Sequence, residues 1–413
     1  MNTPFHPELE RNGLDRFGWL LPLAGLCAGA ALASRGWCWI ALDADLRAPW
    51  WSAKTALGGL AGALAGGGLW AVWRLTLGAT CRGGCVASKA PLALIAAALL
   101  LGAVDYGFGR PALQNPFWLS VRARLRPGTA DYFIRELATW RLDVLNARDE
   151  RPGLLVAGSS QLLHGLDLPE LQRGLPERQV LRRSLAGLDP LKVCGALGYL
   201  TARPGDLLLL YVGEMDIGSN LALQSDWIRP LARGPGVLAS RRALGPYAWT
   251  YRRQLVDLGM ASVFESWRDR DYIRHGLQHV LGADAAAPGR SQLDAIQAQR
   301  EGYAVAGPDH PFHEVHYRAL DEAIRFMRAR GGGVVVFEGQ VNPSVHTPAS
   351  IELAGRVRAR LAAWSARGDF LYVPLAKQGL ALGPSDWADG THLSVSGRAK
   401  FTEMVTKVLR ESE

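Results

Sequence analysis

The segment Asp206–Val212 reads DLLLLYV, one acid followed by six apolar residues in unbroken succession. A strand with one wet face alternates apolar and polar side chains, whereas a strand apolar on both faces must be covered on both. The feature recurs at Leu154–Ala157 (LLVA), Gly333–Phe337 (GVVVF) and Phe370–Val373 (FLYV), and more weakly at Gln179–Ser184. Longer amphipathic stretches fall between these runs, at Pro190–Thr201, His313–Arg330, Ser350–Arg367 and Ser396–Glu411. In the second of them Val315, Leu320, Ile324 and Met327 share one helical face. Strand and helix in alternation predict an α/β domain, a parallel sheet sandwiched between helices in three layers.

The first third of the chain has a different character. Apolar segments at about Phe17–Ile40, Ala56–Trp73 and Val86–Val104 approach the roughly 20 residues that a helix needs to cross a bilayer. They are rich in Gly and Ala, and Trp37, Trp39, Trp50, Trp51, Trp70 and Trp73 crowd their ends. Residues 1–110 therefore read as a membrane domain with about three transmembrane helices, and residues 111–150 as a juxtamembrane connector. A cleavable signal peptide fits poorly, because acids and Pro precede the first segment and two more apolar segments follow it. The loop Arg74–Lys89 carries Arg74, Arg82 and Lys89 and no acid, and the loop Leu42–Lys54 mixes both signs. That asymmetry places the C-terminal domain outside the cytoplasm of a plasma (inner) membrane. Arg110, Arg122, Arg124 and Arg126 argue the other way.

The α/β domain then spans residues 151–413. An insertion at about 218–311 interrupts the strand–helix rhythm, with helical pieces near Tyr247–Gly259 and Ser291–Glu301 and a small-residue linker near Gly282–Gly289. The net charge is +8, from 46 basic and 38 acidic residues spread along the chain. No compact basic stripe stands out, so nucleic acid is not an expected partner; a membrane surface or acidic glycans suit the excess equally. Of the five cysteines only Cys194 falls in the α/β domain, which is thus no disulfide scaffold. The C-x3-C pair Cys81 and Cys85 lacks a second ligand pair, and no metal is expected.

In open α/β sheets ligands sit beyond the carboxyl ends of the strands. Those ends carry Gly158-Ser159-Ser160-Gln161, Ser184-Leu185-Ala186-Gly187, Gly213-Glu214-Met215-Asp216, Glu338–Pro343 and, after the last strand, the stretch from Asp386 to Gly397. A serine hydroxyl becomes a useful nucleophile only beside a base that a third group orients. Asp389 and His392 are three apart in DGTH, and Gly390 between them permits a tight turn. Ser160 is the expected nucleophile, with Ser159 the alternative, and either serine also suits a helix cap. Ser396 is the expected cap of the last helix.

These blocks resemble the SGNH (GDSL-like) hydrolase superfamily over about Gly153 to Glu413, the insertion excepted. Gly158-Ser159-Ser160 matches the family's Gly-Asp-Ser, with Ser159 in place of Asp; Gly187 matches its second-block glycine; Gly213–Asp216 matches Gly-x-Asn-Asp; Asp389–His392 matches Asp-x-x-His. The resemblance implies Ser160, His392 and Asp389 as nucleophile, base and orienter, and the N–H groups of Ser160 and Gly187 as the oxyanion hole. Met215 stands where the family has an oxyanion-hole Asn, with Gln161 or Asn220 as conceivable substitutes. Ser159, Gln161, Met215, Asp216 and Asn342 are the candidates for lining the pocket. Asp216 reads rather as a loop brace, His164 as packing or support, and Asn342-Pro343 as a turn bordering the pocket. His313 and His316, at i and i+3, suit a capping or substrate-loop role better than a metal.

The expected function is that of a membrane-anchored serine esterase or O-acyltransferase, with acetyl the expected acyl group and extracytoplasmic polysaccharide the substrate. No cofactor is implied. The layout is similar to membrane-tethered SGNH-like proteins of glycan O-acetylation and of D-alanine transfer to teichoic acid, which implies a membrane-bound O-acyltransferase as partner. Two alternatives stand beside it: an inactive glycan-binding or scaffolding subunit of a surface-polymer complex, and a lipase-like activity on membrane lipid.

Overall fold

The computed structural model describes residues 102, 105–106, 109–124, 132–145, 148–218, 229–265, 267–269 and 309–412. The chain divides into two units, Met1–Gly109 with Val263–Ser266, and Arg110–Ser262 with Trp267–Glu413. The account below concerns the second. Apart from Gly102, the three apolar segments lie outside the described residues, as do Asn220, Ser291–Glu301 and Gly282–Gly289 of the insertion. Among the described residues no helix is long and apolar enough to cross a membrane.

Five parallel strands form one sheet: β1 (Gly153–Ala157), β2 (Gln179–Arg182), β3 (Leu207–Val212), β4 (Gly333–Glu338) and β5 (Leu371–Val373), in the order β2-β1-β3-β4-β5. β1 pairs with β3 from Leu154 opposite Leu207 to Ala157 opposite Leu210, and β3 runs two residues further, to Val212. The chain leaves β1 toward β2 on one side and returns to β3 on the other. That reversal opens a crevice above the carboxyl ends of β1 and β3.

The unbroken apolar runs are explained by two cores, one per face. Leu155, Ala157, Leu208, Leu210, Val334 and Val336 pack with Leu191, Val315, Leu320, Leu361 and Trp364. Their alternates Leu154, Val156, Leu209, Tyr211, Val335 and Phe337 pack with Leu162, Leu171, Phe401, Val405 and Leu409. Each strand serves both faces, and its side-chain period of two divides the run between them.

The stretch 111–150 contributes to the first core. It holds the helices Pro111–Arg124 and Tyr132–Leu145. Trp118, Leu137 and Trp140 are buried in the cluster that covers the sheet, and Trp140 Nε1–H donates to the Arg183 carbonyl at 3.2 Å. The described part of the insertion is likewise in the core. Its helices Pro235–Leu244 and Arg252–Val263 bury Val237, Ala243, Leu244 and Leu258.

At the amino end of the sheet Asp206 ties three segments. Its carboxylate accepts from the backbone N–H groups of Gly153 (2.6 Å) and Arg203 (2.6 Å) and from both terminal nitrogens of Arg148 (2.8 and 2.7 Å). Both side chains are almost fully buried. Removing one partner leaves a charged guanidinium and two amides without their acceptor in the interior. Asp206→Ala is expected to lower the unfolding free energy by about 3–5 kcal/mol, read from urea unfolding of the full-length chain. A loss under about 1 kcal/mol would show that the pair contributes nothing beyond its desolvation.

Candidate active site

β1 ends at Ala157, and after Gly158 the chain turns directly into the helix Ser160–Gly165. Ser159 is its N-cap residue in extended conformation, with no hydrogen bond from its side chain to the helix, and Ser160 is the first helical residue. The strand end and the helix start thus fix the Ser160 backbone from both sides. Its N–H belongs to the first helical turn, which has no intrahelical acceptors.

The base arrives from the loop after β5. His392 Nε2 lies 2.8 Å from Ser160 Oγ, and His392 Nδ1 lies 2.7 Å from Asp389 Oδ2. The other carboxylate oxygen, Oδ1, accepts from the N–H groups of Thr391 (2.7 Å) and His392 (2.8 Å) and from Thr391 Oγ1 (3.3 Å). Burial alone would raise the Asp389 pKa. The His392 ring and these loop donors outweigh it and hold the carboxyl well below the usual range. An ionised Asp389 accepts from Nδ1–H and so keeps the ring proton on Nδ1, and Nε2 faces the hydroxyl as an acceptor. His392 and Asp389 keep about a quarter of their side-chain surface in solvent, so the pair is reachable from outside.

Neighbouring loops clamp this arrangement. Asn342 N–H donates to the Gly390 carbonyl at 3.0 Å, and Asn342 Nδ2 to the Asp389 carbonyl at 3.3 Å. Asn342 also starts the turn to Pro343, its Oδ1 accepting from Ser344 N–H at 3.0 Å. Asp386 accepts from Gly383 N–H, Ser396 Oγ and Lys400 Nζ, which lowers its pKa to about 2. The close approach here requires glycine, since a Cβ on Gly397 would stand 2.2 Å from the Asp386 carbonyl oxygen. The expected cap, Ser396, is therefore taken by Asp386. Ser394 caps the helix Val395–Glu411 instead, accepting from Gly397 N–H.

The other expected site residues fall as follows. Leu185 N–H donates to the Gly158 carbonyl at 3.1 Å, which draws the Ser184–Gly187 loop alongside the β1 exit. Gly187 has φ +69°, a backbone that side-chain-bearing residues rarely adopt. Met215 is half-buried against Val341 and Val345, an apolar contact with no donor to offer. Gln161 is not free to serve as the donor that Met215 does not offer: its amide donates to the Gln340 carbonyl at 3.1 Å and more loosely to the Thr391 carbonyl at 3.5 Å. It binds loops together.

Asp216 is a brace, its Oδ2 accepting from Gly213 N–H at 3.0 Å. Burial is the main force on it. Despite the Gly213 N–H and the nearby Ser159 hydroxyl, and with Asp189 and Glu214 adding repulsion, its pKa is pushed up to about 7. The Ser159 hydroxyl is buried close to this carboxyl, outside hydrogen-bond geometry. His313 and His316 are buried in the helix Phe312–Arg328, with His316 Nδ1 3.9 Å from Asp189 Oδ1.

One contributor has no role in the sequence reading and another has a larger one than expected. Thr391 supplies an N–H and a hydroxyl to Asp389. His164, read only as packing or support, sets its ring nearly perpendicular to that of His392, centroids 5.3 Å apart. Burial chiefly, and the neighbouring His392 after it, lower the His164 pKa. The sequence did carry a signal for His164, because residues i and i+4 share a helix face and Ser160 is four before it.

The raised pKa of Asp216 has a measurable sign. Its folded value of about 7 lies above the value of about 3.9 for a free aspartate. Between the two the folded chain holds a proton that the unfolded chain has released. The stability it contributes is complete below pH about 4, falls as pH rises to about 7, and is level beyond. Asp216→Asn keeps an acceptor for Gly213 N–H and removes the slope. Relative to the native chain it is expected to gain on the order of 2–4 kcal/mol between pH 4 and pH 8, measured by urea unfolding across that range.

The parallel five-stranded α/β domain is consistent with an SGNH-like fold. No family model matches the chain, and no curated protein matches it.

Proposed function

We propose that the protein is a membrane-anchored serine esterase or O-acyltransferase acting through an acyl-serine intermediate, with an acetylated extracytoplasmic polysaccharide as its substrate. The observation that carries the chemistry is the continuous hydrogen-bonded line from Ser160 Oγ to His392 to Asp389, at 2.8 and 2.7 Å. The three apolar segments of residues 1–110 support the anchoring.

In this reading His392 Nε2 takes the Ser160 proton as Oγ attacks the ester carbonyl. Asp389 stabilises the imidazolium that forms. The N–H groups of Ser160 and Gly187 receive the negative charge that develops on the carbonyl oxygen. As the tetrahedral species collapses, His392 returns the proton to the departing alkoxide and the acyl group stays on Ser160. His392 then deprotonates water, giving hydrolysis, or a sugar hydroxyl, giving transfer. A second turn through the same steps frees Ser160.

Met215 favours a second reading, a glycan-binding or scaffolding subunit without turnover, because a missing side-chain donor costs an oxyanion hole about 10²–10³ in rate. One experiment separates the two. The full-length chain is exposed to a serine-reactive fluorophosphonate and to a chromogenic acetyl ester. The enzyme reading expects labelling that Ser160→Ala abolishes and ester hydrolysis that falls by about 10³–10⁶ in the same variant. Equal labelling of native and variant protein overturns it, and glycan binding that survives Ser160→Ala then favours the scaffold.

Asp389→Asn tests the tautomer. The amide would offer a donor to Nδ1, leaving the remaining proton on Nε2 facing the hydroxyl. Hydrolysis of the acetyl ester is expected to fall by about 10³–10⁴ with little change in KM, measured as steady-state kinetics. A loss under tenfold would mean that His392 finds its orientation without the carboxylate.

A further inference from the structure

The helix Val395–Glu411 packs on the helix that begins with Ser160. A Cβ on Gly165 would lie 3.7 Å from the Phe401 ring, and Thr402 Oγ1 accepts from Asp167 N–H at 2.9 Å. Arg398 stands three and four residues before these two, on the same helix face and one turn nearer His392. One turn back along both helices from the Gly165 contact it lies toward His164, and its charge acts on the His164 ring. The ring of His164 in turn meets that of His392 at 5.3 Å.

The arginines of this domain are mostly engaged. Arg182, which also acts on His164, is paired with Glu136 and lies 3.8 Å from Asp143. Arg148, Arg242, Arg328, Arg356, Arg358 and Arg360 each hold a carboxylate. Arg398 is half-buried, and among the described residues its guanidinium makes no hydrogen bond or ion pair. Of the groups around His164, Glu136 is the acid, and it is committed to Arg182. Asp389 is satisfied by its own loop and by His392. A planar fork of donors is thus left on the helix that covers the turn carrying His164, whose ring meets that of His392.

We infer that Arg398 is a specificity residue that holds an anionic group of the substrate, a carboxylate or a phosphodiester, while its ester lies at Ser160. A guanidinium recognises both anions by paired N–H···O bonds, and partial burial strengthens those bonds relative to water. The inference rests on the serine-site reading and narrows it to an anionic polymer.

Binding tests it without turnover. Full-length Ser160→Ala protein, purified in mild detergent, is titrated by calorimetry with three oligomers. They are an O-acetylated oligogalacturonate bearing carboxylates, a glycerol-phosphate oligomer bearing phosphodiesters, and an O-acetylated cello-oligosaccharide bearing no charge. At low salt one or both anionic oligomers are expected to bind at least about tenfold tighter than the neutral one, and which one does so identifies the anion. Adding Arg398→Gln erases the preference, while Arg398→Lys keeps part of it and shows that the fold tolerates substitution there. Equal binding of all three oligomers, binding by none, or a preference that survives Arg398→Gln overturns the inference. Failure of the serine reading shows elsewhere, as absent fluorophosphonate labelling of the native chain.

Discussion

Ser160 and His392 are 232 residues apart in the chain, and they meet because all five strands run one way. A parallel sheet delivers every strand exit to the same edge. Even so, the Asp389–His392 loop follows β5 at one side of the sheet, and Ser160 follows β1, with β4 and β3 between. The gap is bridged by a relay of glutamines. Gln378 donates to the carbonyls of Glu338 and Val373, Gln340 donates to Gln378, and Gln161 donates to the Gln340 carbonyl. Gln378 and Gln340 join the neighbouring exits of β5 and β4, and Gln161, the residue after Ser160, reaches from the β1 exit past β3 to the β4 exit. The geometry of the line from Ser160 to His392 to Asp389 is in this sense a property of the sheet edge as a whole.

Two carboxylates at that edge are driven in opposite directions by the balance of burial against the donors and charges around each. Asp389 meets the His392 ring, two backbone N–H groups and a hydroxyl, and its ionised form wins against burial. Asp216 is more deeply buried, receives the Gly213 N–H and lies near two other acids, so its neutral form gains. The first is therefore suited to hold an imidazolium through a reaction. The second is suited to a brace, where a change of charge would work against the fold.

The strands were legible in the sequence to within a residue or two, because an apolar run bounded by turn residues admits few other structures. The Asp-x-x-His spacing and the first serine block were legible for a similar reason: their partners are local or sit at strand exits. What failed was the choice among chemically equal partners. Ser394 and Ser396 both suit a helix cap, and only the position of Asp386, placed by Lys400 and the Gly397 approach, decides that Ser394 takes the role. Gln161 and a free oxyanion donor look alike until the Gln340 carbonyl is seen in front of the amide. Residues 111–150 read as a connector because their pattern is mixed, yet Trp118 and Trp140 are buried against the sheet by helices that only the tertiary context requires.

Met215 poses the remaining physical question, and the order around it bears on the answer. Holding an imidazole in one rotamer between two partners costs side-chain entropy, and confining a loop through Asn342, Thr391 and Asp386 costs more. A glycan-binding surface gains little from an imidazole nitrogen aimed at a serine hydroxyl, whereas a proton transfer depends on it. The first helical turn after β1 meanwhile supplies backbone donors that no side-chain substitution can remove. A chain with Met at position 215 that has that turn, a glycine in the left-handed conformation at 187 and a fully hydrogen-bonded Asp389 holds the components that the proposed acyl transfer uses most directly. Met215 offers no donor, and under the proposed function a slower reaction on a substrate held by a charged anchor such as Arg398 is the arrangement in which that lack is best tolerated.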